Sequence, residues 1–83
     1  MFPWQDWYLP SKYELNLLYL QKIAVGGFAS AYYWSSTENN NNNAWKQNFD
    51  NGNQNNNNKN NNYYVRAVLA FINKDNSTNE FKI

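Results

Sequence analysis

A chain of 83 residues has room for one domain, and a domain of this size buries only about 60% of the surface that its unfolded chain exposes. The formal charge is +1, and the seven Lys and Arg residues are scattered, which leaves no electrostatic footprint for nucleic acid or anionic lipid. Cys and His are absent, so disulfides, thiolate metal sites and histidine bases are excluded.

The apolar residues favour a small aromatic core and argue against insertion into a membrane. Phe, Trp and Tyr make up 19% of the chain, and we expect these large rings to build the core. The longest apolar runs are far shorter than the roughly 20 residues that a membrane span requires. Residues 1–8 also lack the basic start and apolar centre of a signal peptide.

The first predicted element is a helix over residues 12–23. Ser11 followed by Glu14 matches a capping box at its start. The apolar residues recur at helical spacing and form a stripe wide enough for packing on a sheet: Leu15, Leu17, Leu18, Tyr19, Leu20 and Ile23. Gly26 and Gly27 predict the end of the helix and a turn of the chain.

Two predicted strands flank a window of unusual composition. Residues 32–37 are aromatic and hydroxyl-rich without helical spacing, which is typical of a strand. Residues 63–71 have the two-residue alternation of a strand, which predicts a central or near-central strand. Between them, residues 39–62 contain 15 Asn in 24 positions, far above average usage.

A hairpin is predicted inside the Asn-rich window. An alternating run that contains Trp45 and Phe49 leads into Asn51-Gly52, and Asn-Gly after such a run predicts a two-residue turn. This turn would pair Phe49 with Gln54. Directly opposed residues share a face, so Trp45 and Phe49 would anchor one face in the core. The opposite face would carry the polar residues Lys46, Asn48, Asp50, Asn53, Asn55 and Asn57.

Residues 1–72 are expected to form the compact domain, and residues 73–83 form a polar tail in which a final short strand is one alternative. The run Asn76-Ser77-Thr78 matches the acceptor for N-glycosylation. Without a secretory signal we do not expect it to be modified.

Three interpretations of the Asn-rich window compete. Low-complexity sequence would be disordered or prone to β-aggregation, but Trp45, Phe49 and the Asn-Gly turn interrupt it in register with the flanking strands. Calcium or carbohydrate binding would use amide and carboxylate oxygens, but neither an Asp-x-Asp loop nor a Glu-Pro-Asn tripeptide is present. We therefore expect no metal and no cofactor, and an unchanged melting temperature with calcium or EDTA. The third interpretation is a binding surface.

Short segments spread over residues 7–71 have a specific order and spacing: Trp7-Tyr8-Leu9-Pro10-Ser11-Lys12, Tyr13-Glu14-Leu15, residues 27–38, Ala44-Trp45, Phe49-Asp50-Asn51-Gly52 and Tyr64-Val65-Arg66-Ala67-Val68. Together they resemble a bacterial and phage domain family related to the C-terminal domain of collagen-like surface adhesins and to the C-type-lectin and formylglycine-generating-enzyme folds. The resemblance implies an α+β, C-type-lectin-like fold, with one main helix packed on a twisted, mainly antiparallel sheet.

That family includes variable proteins of diversity-generating retroelements, in which a reverse transcriptase misreads adenines of a template repeat. Asn codons are rich in adenine, so the Asn tract resembles an undiversified, template-like state. The resemblance implies a hypervariable module that binds a protein or glycan target, as part of a larger protein on a phage virion or bacterial cell surface. Its implied ligand-binding residues are Asn40, Asn41, Asn42, Asn43, Lys46, Asn48, Asn53, Asn55, Asn57, Asn60, Asn61 and Asn62.

Other functions are also considered. A structural, oligomerisation or glycan-binding domain of a surface adhesin is the alternative, and the sequence leaves the oligomeric state open. Catalysis is not expected, since no acid pair is spaced as a base and a proton donor. Arg66 is expected to pair with a structural carbonyl or acid, with Glu38 and Asp50 as candidate partners, and binding of a ligand carboxylate or phosphate is its alternative role.

Overall fold

The computed structural model describes residues 4–72 and 79–82. Within them the order of elements is β1 (Trp4–Tyr8), α1 (Lys12–Leu20), α2 (Lys22–Val25), β2 (Tyr32–Glu38), β3 (Asn43–Asn48), β4 (Gln54–Asn58), β5 (Val68–Ile72) and β6 (Asn79–Lys82). The strands form two antiparallel sheets, ordered β1-β5-β6 and β2-β3-β4. The predicted α+β fold, with one main helix packed against antiparallel sheets, is confirmed.

Helix α1 begins with the predicted capping box. The Glu14 N–H donates to Ser11 Oγ at 3.2 Å, and the Ser11 N–H donates to Glu14 Oε1 at 2.9 Å. These two bonds satisfy amide groups that a helix start would otherwise leave open. The helix ends at Leu20, three residues earlier than predicted, and the short helix α2 continues after Gln21. Gly26, with φ of 78°, ends α2 in a conformation that L side chains rarely adopt.

The hairpin of β3 and β4 is present, but its register differs from the prediction by two residues. Gln47 lies opposite Gln54, whereas the sequence pattern placed Phe49 there. Lys46 lies opposite Asn55. Because a shift of two residues preserves the alternation of side chains, each strand keeps its predicted faces.

The core explains the altered register. Phe49 leaves the strand, and its N–H donates to the carbonyl of Ala31 at 2.9 Å. The loop therefore spans residues 49–52 and is closed by the Asn48 N–H, which donates to the Asn53 carbonyl at 2.9 Å. Gly52, with φ of 85°, supplies the positive φ that the Asn-Gly pattern predicted for this position.

The core lies between α1 and the β2-β3-β4 sheet, and its buried apolar members are Leu15, Leu18, Tyr33, Phe49 and Val68. The ring of Phe49 is fully buried, with centroid distances of 4.6 Å to Tyr33, 4.8 Å to Phe28 and 5.6 Å to Tyr19. The core role predicted for Phe49 is confirmed. Trp45 is only half-buried, and the Lys12 ammonium lies 3.6 Å from its ring centroid.

A buried amide network also connects α1 to the sheet. The Gln47 side chain is fully buried, and its Nε2 donates to Asn16 Oδ1 at 2.9 Å and to the Gly52 carbonyl at 3.1 Å. Gln54 Nε2 donates to the Lys12 carbonyl at 2.8 Å. The sequence pattern places Gln47 on the core face, but nothing in it indicates that the glutamine is fully buried.

The prediction of one strand over residues 63–71 is wrong in its first half. Strand β5 begins at Val68, and before it Tyr64 makes a single parallel bridge with Tyr33. Strand β5 pairs with β1, which the sequence analysis missed, and with β6, the final short strand of the tail. The N-glycosylation motif at Asn76-Ser77-Thr78 lies outside the described residues. In the described part of the chain, no helix has the length and apolarity to cross a membrane.

Candidate functional site: the Asn face

The two faces of the β2-β3-β4 sheet have different neighbours. Helix α1 packs on the face that carries Gln47. The opposite face carries, beside Ala44, seven residues that we call the Asn face: Tyr32, Trp34, Lys46, Asn48, Asn53, Asn55 and Asn57. The predicted outer face of the hairpin is therefore a face of a three-stranded sheet, and β2 adds two aromatic rings to it.

A crossover segment, residues 59–64, runs from the end of β4 across the Asn face to the outer edge of β2. The Trp34 Nε1–H donates to the Asn61 carbonyl at 3.2 Å, and the Tyr64 N–H donates to the Tyr32 carbonyl at 3.0 Å. The ring of Tyr63 lies 4.9 Å from that of Trp34 and 5.4 Å from that of Tyr32. Aromatic rings from two separate parts of the chain thus cover one end of this face.

Lys46 is buried beneath this cover, which corrects its predicted place on a solvent-facing surface. Its relative exposure is 8%. The ammonium lies 3.8 Å from the ring centroid of Tyr32 and 4.7 Å from that of Tyr63, and it donates to the Tyr63 hydroxyl at 3.3 Å. Cation–π contacts of this kind stabilise a desolvated ammonium. Lys46 therefore contributes to the scaffold of the face.

Several Asn side chains are used to hold turns. Asn40 Oδ1 accepts the N–H groups of Asn42 at 2.8 Å and Asn43 at 2.9 Å, and Asn48 Oδ1 accepts the Asp50 N–H at 2.7 Å. Such bonds are the reason that Asn favours turns. Five side chains accept a backbone N–H in this way, and we call them the turn Asn group: Asn40, Asn48, Asn51, Asn57 and Asn58.

Among the predicted binding residues, a second set of Asn side chains is exposed and makes no hydrogen bond to the described residues. We call it the open Asn group: Asn41, Asn42, Asn53, Asn55, Asn60 and Asn62. Of the other predicted site residues, Asn43 is half-buried, and Asn61 is exposed with its Nδ2 donating to Asn57 Oδ1 at 3.1 Å. The predicted binding residues thus lie on the sheet, its loops and the crossover segment, and they have different structural roles.

A hollow of about 560 Å³ lies at the covered end of the Asn face and is lined by Ser30, Ala31, Tyr32, Asn48, Asp50, Asn62, Tyr63 and Tyr64. The Tyr63 hydroxyl oxygen accepts from Lys46 and from Asn57 Nδ2 at 3.0 Å, and these two bonds hold the ring at the edge of the hollow. The sequence analysis missed this hollow because it assigned both tyrosines after the Asn run to a strand.

Residues 3–69 match the family model of the Lcl C-terminal domain. The chain belongs to the Lcl C-terminal domain family. This match covers β1, both helices, β2 to β4 and the crossover segment, and thus the whole Asn face. The family is one of non-catalytic domains from bacterial surface adhesin-like proteins. A search of curated proteins finds no significant match.

Arg66 of this Lcl C-terminal domain has a structural environment. Its Nη1 contacts the carbonyls of Gly26 at 3.4 Å and Gly27 at 3.5 Å, and its guanidinium lies 4.5 Å from the ring centroid of Phe28. The predicted pairing with a carbonyl is confirmed. The suggestion of Glu38 as its acidic partner is wrong because Glu38 pairs with Lys59.

The ionisable pair with shifted pKa values lies away from the Asn face, at the start of α1. Burial, assisted by a hydrogen bond to Glu14, raises the pKa of Tyr8 to about 12. Burial alone would raise the pKa of Glu14, but hydrogen bonds from the Ser11 backbone and the Tyr8 hydroxyl lower it overall. Residues 4–72 and 79–82 contain no group of three acidic, His or Cys side chains that could hold a metal ion.

Proposed function

We propose that this Lcl C-terminal domain is a recognition module in which the open Asn group, on the Asn face and on the loops beside it, is a variable surface in an undiversified state. The observation that carries the proposal is the open Asn group. Its side chains are exposed and unbonded, yet they stand on strands and turns whose backbone is held by other residues. Substitutions at exposed, unbonded positions usually change stability little, so the surface can vary without loss of the fold.

The scaffold beneath the surface supports this division of roles. Phe49 and Gln47 hold the hairpin to α1 from one side, and Lys46 holds the crossover segment from the other. The turn Asn group fixes the loops locally. A diversified chain would retain these residues and exchange the open Asn group.

The Asn state itself offers few anchors for binding. Binding hot spots are enriched in Trp, Tyr and Arg, whereas Asn mainly supplies adaptable hydrogen bonds. The tyrosines of the hollow are the aromatic anchors already present, and targets would bind there first. We propose a protein or glycan target and a place within a larger protein on a bacterial cell surface or phage virion.

The test is a pair of matched libraries. The first replaces Asn53, Asn55, Asn60 and Asn62 with mixtures of Tyr, Ser, Asp and His, and the control library makes the same replacements at Asn40, Asn48, Asn51 and Asn57. Members of each are scored for melting and for selection against unrelated protein targets. We expect most of the first library to fold and to yield binders that the parent lacks, and the control library to contain more unfolded members.

Two outcomes would count against the proposal. If most members of the first library do not fold, the open Asn group is structural. If they fold and none binds, the face is not a recognition surface. The retroelement origin has its own test in the flanking DNA, where we expect a near-identical repeat that differs only at adenines, beside a reverse-transcriptase gene.

An assembly domain that holds chains together is the second candidate, and an exposed apolar stripe on α1 favours it. Tyr13, Leu17 and Leu20 follow one side of the helix at intervals of four and three residues, with exposures of 77%, 60% and 67%. Large exposed apolar patches often mark protein interfaces. If this candidate is correct, Leu17→Lys will dissociate an oligomer measured by light scattering, whereas Asn41→Lys will leave it intact.

A further inference from the structure

Strand β4 is an open edge of its sheet. The sheet order is β2-β3-β4, and the other edge, at β2, is covered by the crossover segment. There the Trp34 N–H donates to the Tyr64 carbonyl at 2.9 Å and the Tyr64 N–H donates to the Tyr32 carbonyl at 3.0 Å. Among the described residues, none pairs with the outer side of β4.

The register identifies the backbone groups that face outward. The Asn48 N–H donates to the Asn53 carbonyl, and the Lys59 N–H donates to the Asn42 carbonyl, so the odd-numbered residues of this segment face β3. Hydrogen-bonding direction alternates along an antiparallel strand. Gln54 and Asn56 therefore direct their N–H and C=O groups away from β3, where the described part of the chain offers them no partner.

Asn58 also faces outward, but its backbone groups are already used. Its N–H donates to Asn57 Oδ1 at 2.7 Å, and its carbonyl accepts the Asn61 N–H at 3.1 Å. The unsatisfied part of the edge is thus confined to two residues. It offers two donors and two acceptors.

The open edge of β4 is short, but the other usual protections of an edge strand are missing from it. Natural edges carry Lys, Pro, a bulge or an inward charge that prevents pairing with another chain. The strand reads Gln54 followed by four Asn, without charge or Pro, and its register with β3 is continuous. The next charged residue along the chain, Lys59, is directed toward Glu38 of β2, and Lys46, which lies opposite Asn55 on β3, is buried.

We propose that β4 pairs antiparallel with β4 of a second copy of this chain. A two-fold axis beside Asn55 places Asn55 opposite Asn55 of the second copy and Gln54 opposite Asn56 of the second copy. In this register all the unsatisfied groups of Gln54 and Asn56 find partners, which gives four backbone hydrogen bonds. A second copy fits because an amide is both donor and acceptor, so identical Asn side chains complement one another.

The pairing closes at two copies and changes the recognition surface. Because the β2 edge is covered at Tyr32 to Trp34, the β2-β3-β4 sheet of each copy offers β4 as its open edge, and the product is one six-stranded sheet. Directly opposed residues share a face, so the two Asn faces lie side by side and double the area offered to a target. The contact is small, and we expect association only at protein concentrations of about 0.1–1 mM.

A charge-complementation experiment tests this register in the full chain. Asn55→Lys and Asn55→Asp are studied separately and as an equal mixture, by sedimentation equilibrium from about 0.02 to 1 mM. Like charges directly opposite each other repel and opposite charges attract. We expect each variant alone to dimerise about tenfold more weakly than the parent, and the mixture to form a heterodimer about tenfold tighter than either homodimer.

Two further variants make the test specific. Asn53→Lys and Asn53→Asp change the net charge equally on the same face, but Asn53 would lie opposite Asn57 of the second copy, so mixing them should bring no recovery. Asn56→Pro removes an outward N–H and is tolerated on edge strands, so it should abolish dimerisation with the melting temperature nearly unchanged. If Asn56→Pro unfolds the chain, the Lys and Asp variants of Asn55 and Asn53 still test whether β4 pairs with a second copy in this register.

The proposal is overturned if the parent is monomeric at 1 mM. It is also overturned if the Asn55 mixture gains nothing over its components, or if the Asn53 mixture gains as much. An oligomer that persists in these variants but is lost in Leu17→Lys would place the contact on α1 instead. These measurements are independent of target selection, so failure here leaves the proposed recognition function standing.

Discussion

The two faces of the β2-β3-β4 sheet show how one sheet serves both a core and a variable surface. On the side of α1, Gln47 is fully buried and its amide bonds to Asn16 and Gly52. On the other side, Asn53 and Asn55 of the neighbouring chain segment are exposed and unbonded. The two-residue period of a strand makes this separation available. It is incomplete here, because Lys46 is buried on the Asn face too.

Truncation of the largest core ring should give the greatest loss of stability. Phe49→Ala removes a fully buried ring that contacts three others, and we expect a cost of about 3–5 kcal/mol. Trp45→Ala should cost roughly 1–2 kcal/mol, since that ring is only half-buried. Chemical denaturation of both variants measures the difference. Equal losses would mean that Trp45 is as much a core residue as Phe49.

The turn between the two strands gives the next largest effect. Gly52→Ala would place a Cβ 2.6 Å from Tyr19 Cε2 at a φ of +85°, so steric overlap adds to backbone strain. We expect a loss of about 2–4 kcal/mol from these two causes. Gly26→Ala, at a φ of +78° with nothing within 4 Å, is the matched control for strain alone. If the two variants have comparable melting temperatures, steric overlap with Tyr19 adds no measurable cost to the backbone strain.

Single Asn substitutions sharpen the distinction between the turn and open groups. Asn40→Ala removes the acceptor of two backbone N–H groups and should cost about 0.5–2 kcal/mol, as for the loss of a cap. Asn53→Ala or Asn55→Ala should change stability by no more than about 0.5 kcal/mol. Thermal melting of the three variants checks this. If Asn53→Ala costs as much as Asn40→Ala, the two groups are not separable.

The smallest effect concerns pH and the start of α1, remote from the Asn face. Hydrogen bonds hold the pKa of Glu14 below its ordinary value of 4.5. The stability that ionised Glu14 adds to the folded state is therefore complete above pH 4.5, and it is lost as the pH falls through the lowered pKa. Glu14→Gln keeps a side chain that can complete a capping box but does not titrate. We expect the variant to lose less stability than the parent between about pH 5 and pH 3. If the free energy of unfolding changes equally with pH in the parent and in Glu14→Gln, the Glu14 carboxylate does not stabilise the folded state in this way.

Predictions from the sequence succeeded where the cause is local. The capping box at Ser11 and Glu14, the glycines after the helix and the positive φ at Gly52 each depend on a few neighbouring residues. The alternation around Trp45 and Phe49 also specified which side of the hairpin meets the core. The α+β class followed from the same local patterns together with the family resemblance.

Long-range packing decided the remaining features. The hairpin register moved by two residues because Phe49 leaves the strand for a core that distant segments build. Lys46 is buried because residues 59–64 cross above it, although its position in the alternating pattern is one that solvent would ordinarily reach. A local pattern determines the direction of a side chain, but whether that direction leads to solvent depends on which distant segment returns to cover it.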